Sequence, residues 1–248
     1  MIKFYIINLE RSIERRKNIT EALDKIGASW EIIPAVDGRL LSNDYIDSIN
    51  TEEVVKNNAG RPLTAGEIGC AESHRKAYMR LVEENLAGAV VIEDDIEISN
   101  DDIVEICNVL QKKTSRNTVV LLGVMPTVSV TPCVWHKVRI TPYHTVIKSK
   151  KELRGAWAYY IDYHAARDFI EKYQKVTAVA DQWERFRSIL KIRLIYPNLL
   201  EHKYKYGSEI DTTKNRDYTL ENKKQKNNAR IIKYFLRCYN RYISPLIP

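Results

Sequence analysis

Hydrophobic and polar positions follow two alternating rhythms along this chain. Short apolar runs at residues 3–9, 30–33, 88–93, 118–122, 155–161 and 191–196 read as strands buried within a sheet. Between them, apolar residues recur at helical spacing. Ile19, Leu23 and Ile26 make one such stripe, with Ser12 placed to cap the helix and Gly27 to stop it. Thr64-Ala65-Gly66-Glu67 has the Thr-x-x-Glu form of a capping box, opening a helix predicted to run to about Glu84. Further helices are predicted over 101–112, 163–173 and 180–190, and residues 42–58 read as short helices and loop. The result is a regular α/β alternation without internal repeats. Residues 123–151 break it, and their length predicts a hairpin or an active-site loop.

Beyond residue 207 the pattern changes. Residues 208–228 are polar and read as a connector, and 229–248 read as a basic amphipathic helix. Lys226, Arg230, Lys233, Arg237 and Arg241 fall on one helical face, opposite Ile231, Phe235, Cys238, Tyr239 and Tyr242. Such a helix suits an anionic membrane surface, or packs on its own domain with the basic face solvated. Residues 1–207 then form the main domain.

Charge sharpens this picture. The 248 residues carry 39 Lys and Arg against 32 Asp and Glu, a formal charge of +7 that suits an anionic partner without naming one. Nucleic acid is disfavoured, because no zinc, RNP or helix-turn-helix pattern occurs and the excess positive charge gathers in the tail. The four cysteines have no CxxC or zinc spacing and read as reduced thiols of a cytoplasmic protein. No apolar stretch reaches the roughly 20 residues needed to span a bilayer, and Met1 leads straight into a strand, so neither a membrane span nor a secretion signal is expected.

The most informative chemistry is the end of the strand at Ile92, where Glu93, Asp94 and Asp95 follow in succession. Buried strands do not hide unpaired charge, and in open α/β sheets ligands bind at this edge. In an extended chain Glu93 and Asp95 would share a face and could hold Mg²⁺ or Mn²⁺. The simpler alternative is an acidic turn. The first βα turn, Asn8-Leu9-Glu10-Arg11-Ser12, lacks the GxGxxG pattern of a dinucleotide site.

Six motifs in order carry a family resemblance. They are Ile7-Asn8-Leu9 with Arg11, Ser12, Arg15 and Arg16; Ala35-Val36-Asp37-Gly38; Gly66-Glu67-Ile68-Gly69-Cys70 with Ser73-His74; Val91-Ile92-Glu93-Asp94-Asp95; Gly155-Ala156-Trp157-Ala158-Tyr159-Tyr160; and Ala180-Asp181. The set resembles glycosyltransferase family 25, the bacterial lipooligosaccharide galactosyltransferases and their collagen-modifying relatives. The resemblance implies a GT-A type nucleotide-sugar-binding sheet flanked by helices and a UDP-sugar donor, usually UDP-galactose. It also implies inversion at the anomeric carbon and a divalent metal.

Roles follow from that resemblance. Glu93 and Asp95 are the expected metal ligands, with His202 as a third or else a surface histidine, and Asp94 is expected to touch the donor or replace a neighbouring ligand. Asp181 is the candidate base for the acceptor hydroxyl, or a helix cap, with Glu184 and Asp162 behind it. Asn8, Arg11, Asp37, Gly38, Glu67 and His74 are expected to line the donor pocket. Arg15 and Arg16 read as donor-side cations or a solvated face. Gly155, Ala156 and Trp157 are candidates for acceptor or sugar contact, or for strand packing, and Trp135 and Tyr143 are further stacking candidates. The expected acceptor is a lipid-linked oligosaccharide, met at the inner face of the cytoplasmic membrane. A metal-dependent phosphohydrolase and a non-catalytic sugar-nucleotide binder are the competing functions, the former weakened by five histidines without clustering.

Overall fold

A computed structural model describes residues 1–98, 100–124, 132–149 and 151–202. The chain runs β1 (Lys3–Asn8), α1 (Ile13–Lys25), β2 (Ser29–Pro34), a 3-10 turn (Gly38–Leu40), α2 (Asn43–Ile49), α3 (Glu52–Asn57) and α4 (Ala65–Glu83). It continues through β3 (Gly88–Glu93), β4 (Ile96–Glu97), α5 (Ile103–Lys113), β5 (Thr118–Leu121), β6 (Pro132–Arg139) and β7 (Thr145–Ser149). β8 (Ala158–Asp162), α6 (Tyr163–Lys172), a 3-10 turn (Trp183–Phe186), β9 (Lys191–Tyr196) and β10 (Glu201–His202) complete it. The connector and C-terminal helix expected over 208–248 lie outside the described residues. Among the described residues, no helix is long and apolar enough to cross a membrane.

Eight strands form one mixed sheet in the order β2-β1-β3-β8-β5-β9-β7-β6, so the α/β expectation holds. The regular alternation is broken by β8, which runs antiparallel between β3 and β5. The hairpin expected in 123–151 is β6–β7. β1 pairs in parallel with β2 on one side and β3 on the other. The chain therefore leaves β1 in one direction and returns in the other, which opens a crevice at the carboxyl ends of β1 and β3.

Alternation within the strands sorts the core. Ile2, just before β1, and Phe4 and Ile6 of β1 pack with Ile19 and Leu23 of α1 and Ile106 and Leu110 of α5. Tyr5 and Ile7 face the opposite layer, with Ala77, Tyr78 and Leu81 of α4 and Ala165 and Phe169 of α6. Residues of β3 divide the same way: Val90 and Ile92 face the α1 layer, Ala89 and Val91 the α4 layer. This parity decides where the polar residues at the strand ends go.

Local signals behave as physics dictates, with two exceptions. Thr64 accepts from the Glu67 amide while Glu67 reaches back to the Thr64 amide, completing the capping box of α4. Ser12 does occupy the N-cap of α1, but its side chain makes no capping bond. The helix expected over 180–190 is only the 3-10 turn at Trp183–Phe186. Trp183, Phe186 and Leu190 are apolar at helical spacing, yet each is anchored in the core by an irregular path, with Trp183 Nε1 donating to the Gly155 carbonyl at 2.9 Å.

Candidate functional site

Parallel β2, β1 and β3 deliver Asp37, Asn8 and Glu93 to the same sheet edge. Asn8 is buried and its amide donates to Asp94 Oδ2 at 2.6 Å and to the Ser12 carbonyl at 3.1 Å. Its Oδ1 accepts from Arg16 Nε at 2.7 Å. Arg15, one turn into α1, lies 3.4 Å from Asp94 and 3.6 Å from Asp95. Sequence reading left both arginines undecided between donor side and solvent. The signal available was the run of three carboxylates, which needs a cation close by.

Glu93 and Asp95 do not share a face through strand alternation. β3 ends at Glu93, and residues 94 and 95 form a turn. Parity sends Glu93 towards α4, where its Oε1 lies 3.4 Å from His74 Nε2. The turn carries Asp94 and Asp95 towards Arg15 on α1. Burial, its largest cause, lifts the Asp94 pKa to about 6, with the charge of Asp95 adding to the rise while Asn8 and Arg15 oppose it. The backbone of His202, in β10, pairs opposite Ile96, one residue past this turn.

The first loop region is arranged by close backbone packing. A Cβ at Gly38 would run into the Ala65 carbonyl, and one at Gly69 into Val36 and Gly38 backbone. Two glycines thus let the 38–40 turn sit directly on the start of α4. Ser73 strengthens the contact, accepting from the Val36 amide at 2.8 Å and donating to the Gly69 carbonyl at 2.7 Å. Gly38 is buried there and shapes the edge as a packing element. Asp37 bonds Arg11 and, at 2.7 Å, Arg39, and these cations hold its carboxyl below the usual range. Glu67 is occupied by its cap and by Arg61 at 2.6 Å and 2.9 Å, so its carboxylate is structural.

His74 is buried beneath the edge, its Nδ1 2.7 Å from the Tyr159 hydroxyl, which donates to Tyr78 at 2.8 Å. Cys70, one turn earlier on α4, lies with His74 and Glu93 in a cluster of potential ligand atoms. Burial, with Glu93, Asp181, Asp95 and Glu67 adding, pushes the Cys70 thiol pKa well up. Tyr78, Tyr159 and the grouping with Cys70 were missed from sequence because they join α4 to a strand far along the chain.

Asp181 is 38% exposed and pairs with Arg154 at 3.7 Å. Asp162 is committed elsewhere: it caps α6 through His164 and Ala165 and accepts from the Asn117 and Thr118 amides. Glu184 pairs with Arg187 at 2.5 Å. Gly155 precedes β8 instead of starting it, and its φ of +102° explains the glycine. Ala156 is buried. Trp157 is 6% exposed and covers Gly123 within the core, so its ring offers no stacking face. Tyr143 is 79% exposed, away from the buried clusters. Trp135 and His202 have side chains outside the described residues.

Comparison with known proteins agrees with the motifs. Residues 1–183 match the sequence model described as glycosyltransferase family 25 (LPS biosynthesis protein). A glycosyltransferase 25 family member of Aedes aegypti is 41% identical over 95 residues, covering 37% of this chain and 16% of the relative. Procollagen galactosyltransferase 2 of Homo sapiens is 32% identical over 101 residues, 40% of this chain and 16% of the relative. A Bos taurus protein named probable inactive glycosyltransferase 25 family member 3 is 31% identical over 100 residues, 39% of this chain and 17% of the relative. The match thus spans about one sixth of the length of these relatives.

Proposed function

Because the chain belongs to glycosyltransferase family 25, we propose that it transfers a hexose, galactose from UDP-galactose, to a lipooligosaccharide or other cell-surface glycan with inversion. The observation that carries this reading is the Asn8–Asp94 bond at the crevice between the carboxyl ends of β1 and β3. A sheet that changes direction there offers a ligand site, and this one is lined by carboxylates.

The residues fit a hard divalent ion, Mn²⁺ or Mg²⁺. Asp95 is buried, Asp94 beside it is half-buried, their charges repel while Arg15 lies against both, and both are oxygen donors. With Glu93 drawn towards His74, we assign the ion to Asp94 and Asp95, with His202 on the adjoining strand as third ligand. Such an ion, when bound, offsets the charge of the departing diphosphate. Asn8 and Arg15 fix the two carboxylates, and the Asp37–Arg11 pair borders the donor. Asp181 takes the proton of the acceptor hydroxyl, with Arg154 orienting it. The basic segment 229–248 holds the protein at the inner face of the cytoplasmic membrane, beside a lipid-linked acceptor.

The test is a screen of UDP-sugars for UDP release in the presence of glycan acceptor, with and without Mn²⁺. Release from UDP-galactose that needs the ion, and that Asp95→Ala abolishes without loss of fold, is expected. Metal-independent turnover, or full activity in Asp95→Ala, overturns the assignment.

A further inference from the structure

Cys70 Sγ, a His74 ring nitrogen and a Glu93 carboxylate oxygen lie within 4.8 Å of one another. The first two sit four residues apart on α4 and so share a face, and strand parity brings Glu93 to them from β3. His74 is 3% exposed. The Tyr159 hydroxyl spends its one proton on Tyr78, so at His74 it accepts, and the imidazole proton lies on Nδ1. In the neutral ring Nε2 then presents a bare lone pair. That atom is buried without a hydrogen-bond partner and lies 3.4 Å from Glu93 Oε1. A buried lone pair beside a carboxylate oxygen is satisfied by a cation bound to both.

We propose that Cys70, His74 and Glu93 form a three-ligand site for Zn²⁺ or a similar thiophilic divalent ion, separate from the hard-ion site at Asp94 and Asp95. Sulfur and imidazole donors select zinc over magnesium. With Zn–N and Zn–O bonds of about 2.1 Å, a tetrahedral centre separates the two donor atoms by roughly 3.4 Å. His74 Nε2 and Glu93 Oε1 already stand at that distance. On binding, the Cys70 S–H bond breaks, its proton passes to water, and the sulfur–metal bond forms. Cys70 and Glu93 are both partly exposed, which gives the ion a route in and leaves a fourth position for water. Tyr159 acts on the far side of the ring, holding the tautomer that directs Nε2 to the metal. This site does not depend on the proposed donor or acceptor.

The experiment is a titration of the full chain, stripped of metal, with Co²⁺ followed by displacement with Zn²⁺. One equivalent should give the near-ultraviolet thiolate-to-cobalt band and tetrahedral visible absorption. Cys70→Ser should abolish the near-ultraviolet band and His74→Ala the tight binding, each with circular dichroism like that of the parent. Tyr159→Phe should weaken affinity roughly 10–100-fold while keeping the band. Asp95→Ala should leave the spectrum unchanged. A band that survives Cys70→Ser, or disappears with Asp95→Ala in a folded protein, overturns the site. So do ¹⁵N shifts of the parent chain with Zn²⁺ present that show His74 protonated on both nitrogens, since the ring would then be an imidazolium paired to Glu93.

Discussion

The Asn8 amide reaches across from the end of β1 to Asp94 at 2.6 Å, tying the two strands that flank the crevice. Asn8→Ala removes that donor from a half-buried carboxylate and leaves Arg16 without its Asn8 acceptor. Hydrogen bonds to charged groups contribute roughly 1.5–3 kcal/mol. Urea unfolding should show a loss of that size, and sugar transfer should fall with it.

Asp94 gives the protein a pH dependence of definite sign. Its pKa of about 6 in the fold exceeds the ordinary 3.8, so the folded state holds more protons between the two values. Stability therefore falls as pH rises from about 4 to 6, by about 3 kcal/mol in total from this group. Asp94→Asn should flatten that slope in unfolding measured across the window. Under the proposed role, Mn²⁺ binding runs the other way and strengthens as pH rises through 6, which electron paramagnetic resonance can follow.

Asp162 holds four backbone amides from two separate segments. Asp162→Ala should cost about 3 kcal/mol, since it removes a helix cap and leaves buried donors at the start of β5. Thermal unfolding should shift down by several degrees. A shift near zero would show that water replaces the carboxylate.

Gly38→Ala places a methyl group against the Ala65 backbone. The 38–40 turn must then lift from α4, and the expected loss is about 1–3 kcal/mol or more. Denaturant titration measures it, and donor binding should weaken too because Asp37 begins that turn.

Asp181→Asn should bind donor as the parent does but transfer sugar about 10²–10⁴ times more slowly under the proposed base role. Single-turnover kinetics separate these quantities. A nearly unchanged rate would move the base elsewhere along the edge.

The elements legible beforehand are those whose causes lie within a few residues of one another. Apolar runs marked β1, β3 and β9, the Thr64–Glu67 box opened α4, and six ordered motifs marked the family. Residues 180–190 misled because helical spacing of Trp183, Phe186 and Leu190 also suits an irregular segment pinned by its aromatics. What tertiary structure alone decided is which groups meet. Arg15 finds Asp94 across 79 residues and His74 finds Tyr159 across 85. A turn after Glu93 separates carboxylates that an extended strand would have kept together. Hydrophobic period and capping act along the chain, whereas the partner of a buried charge depends on strand order and on the side of the sheet each residue faces.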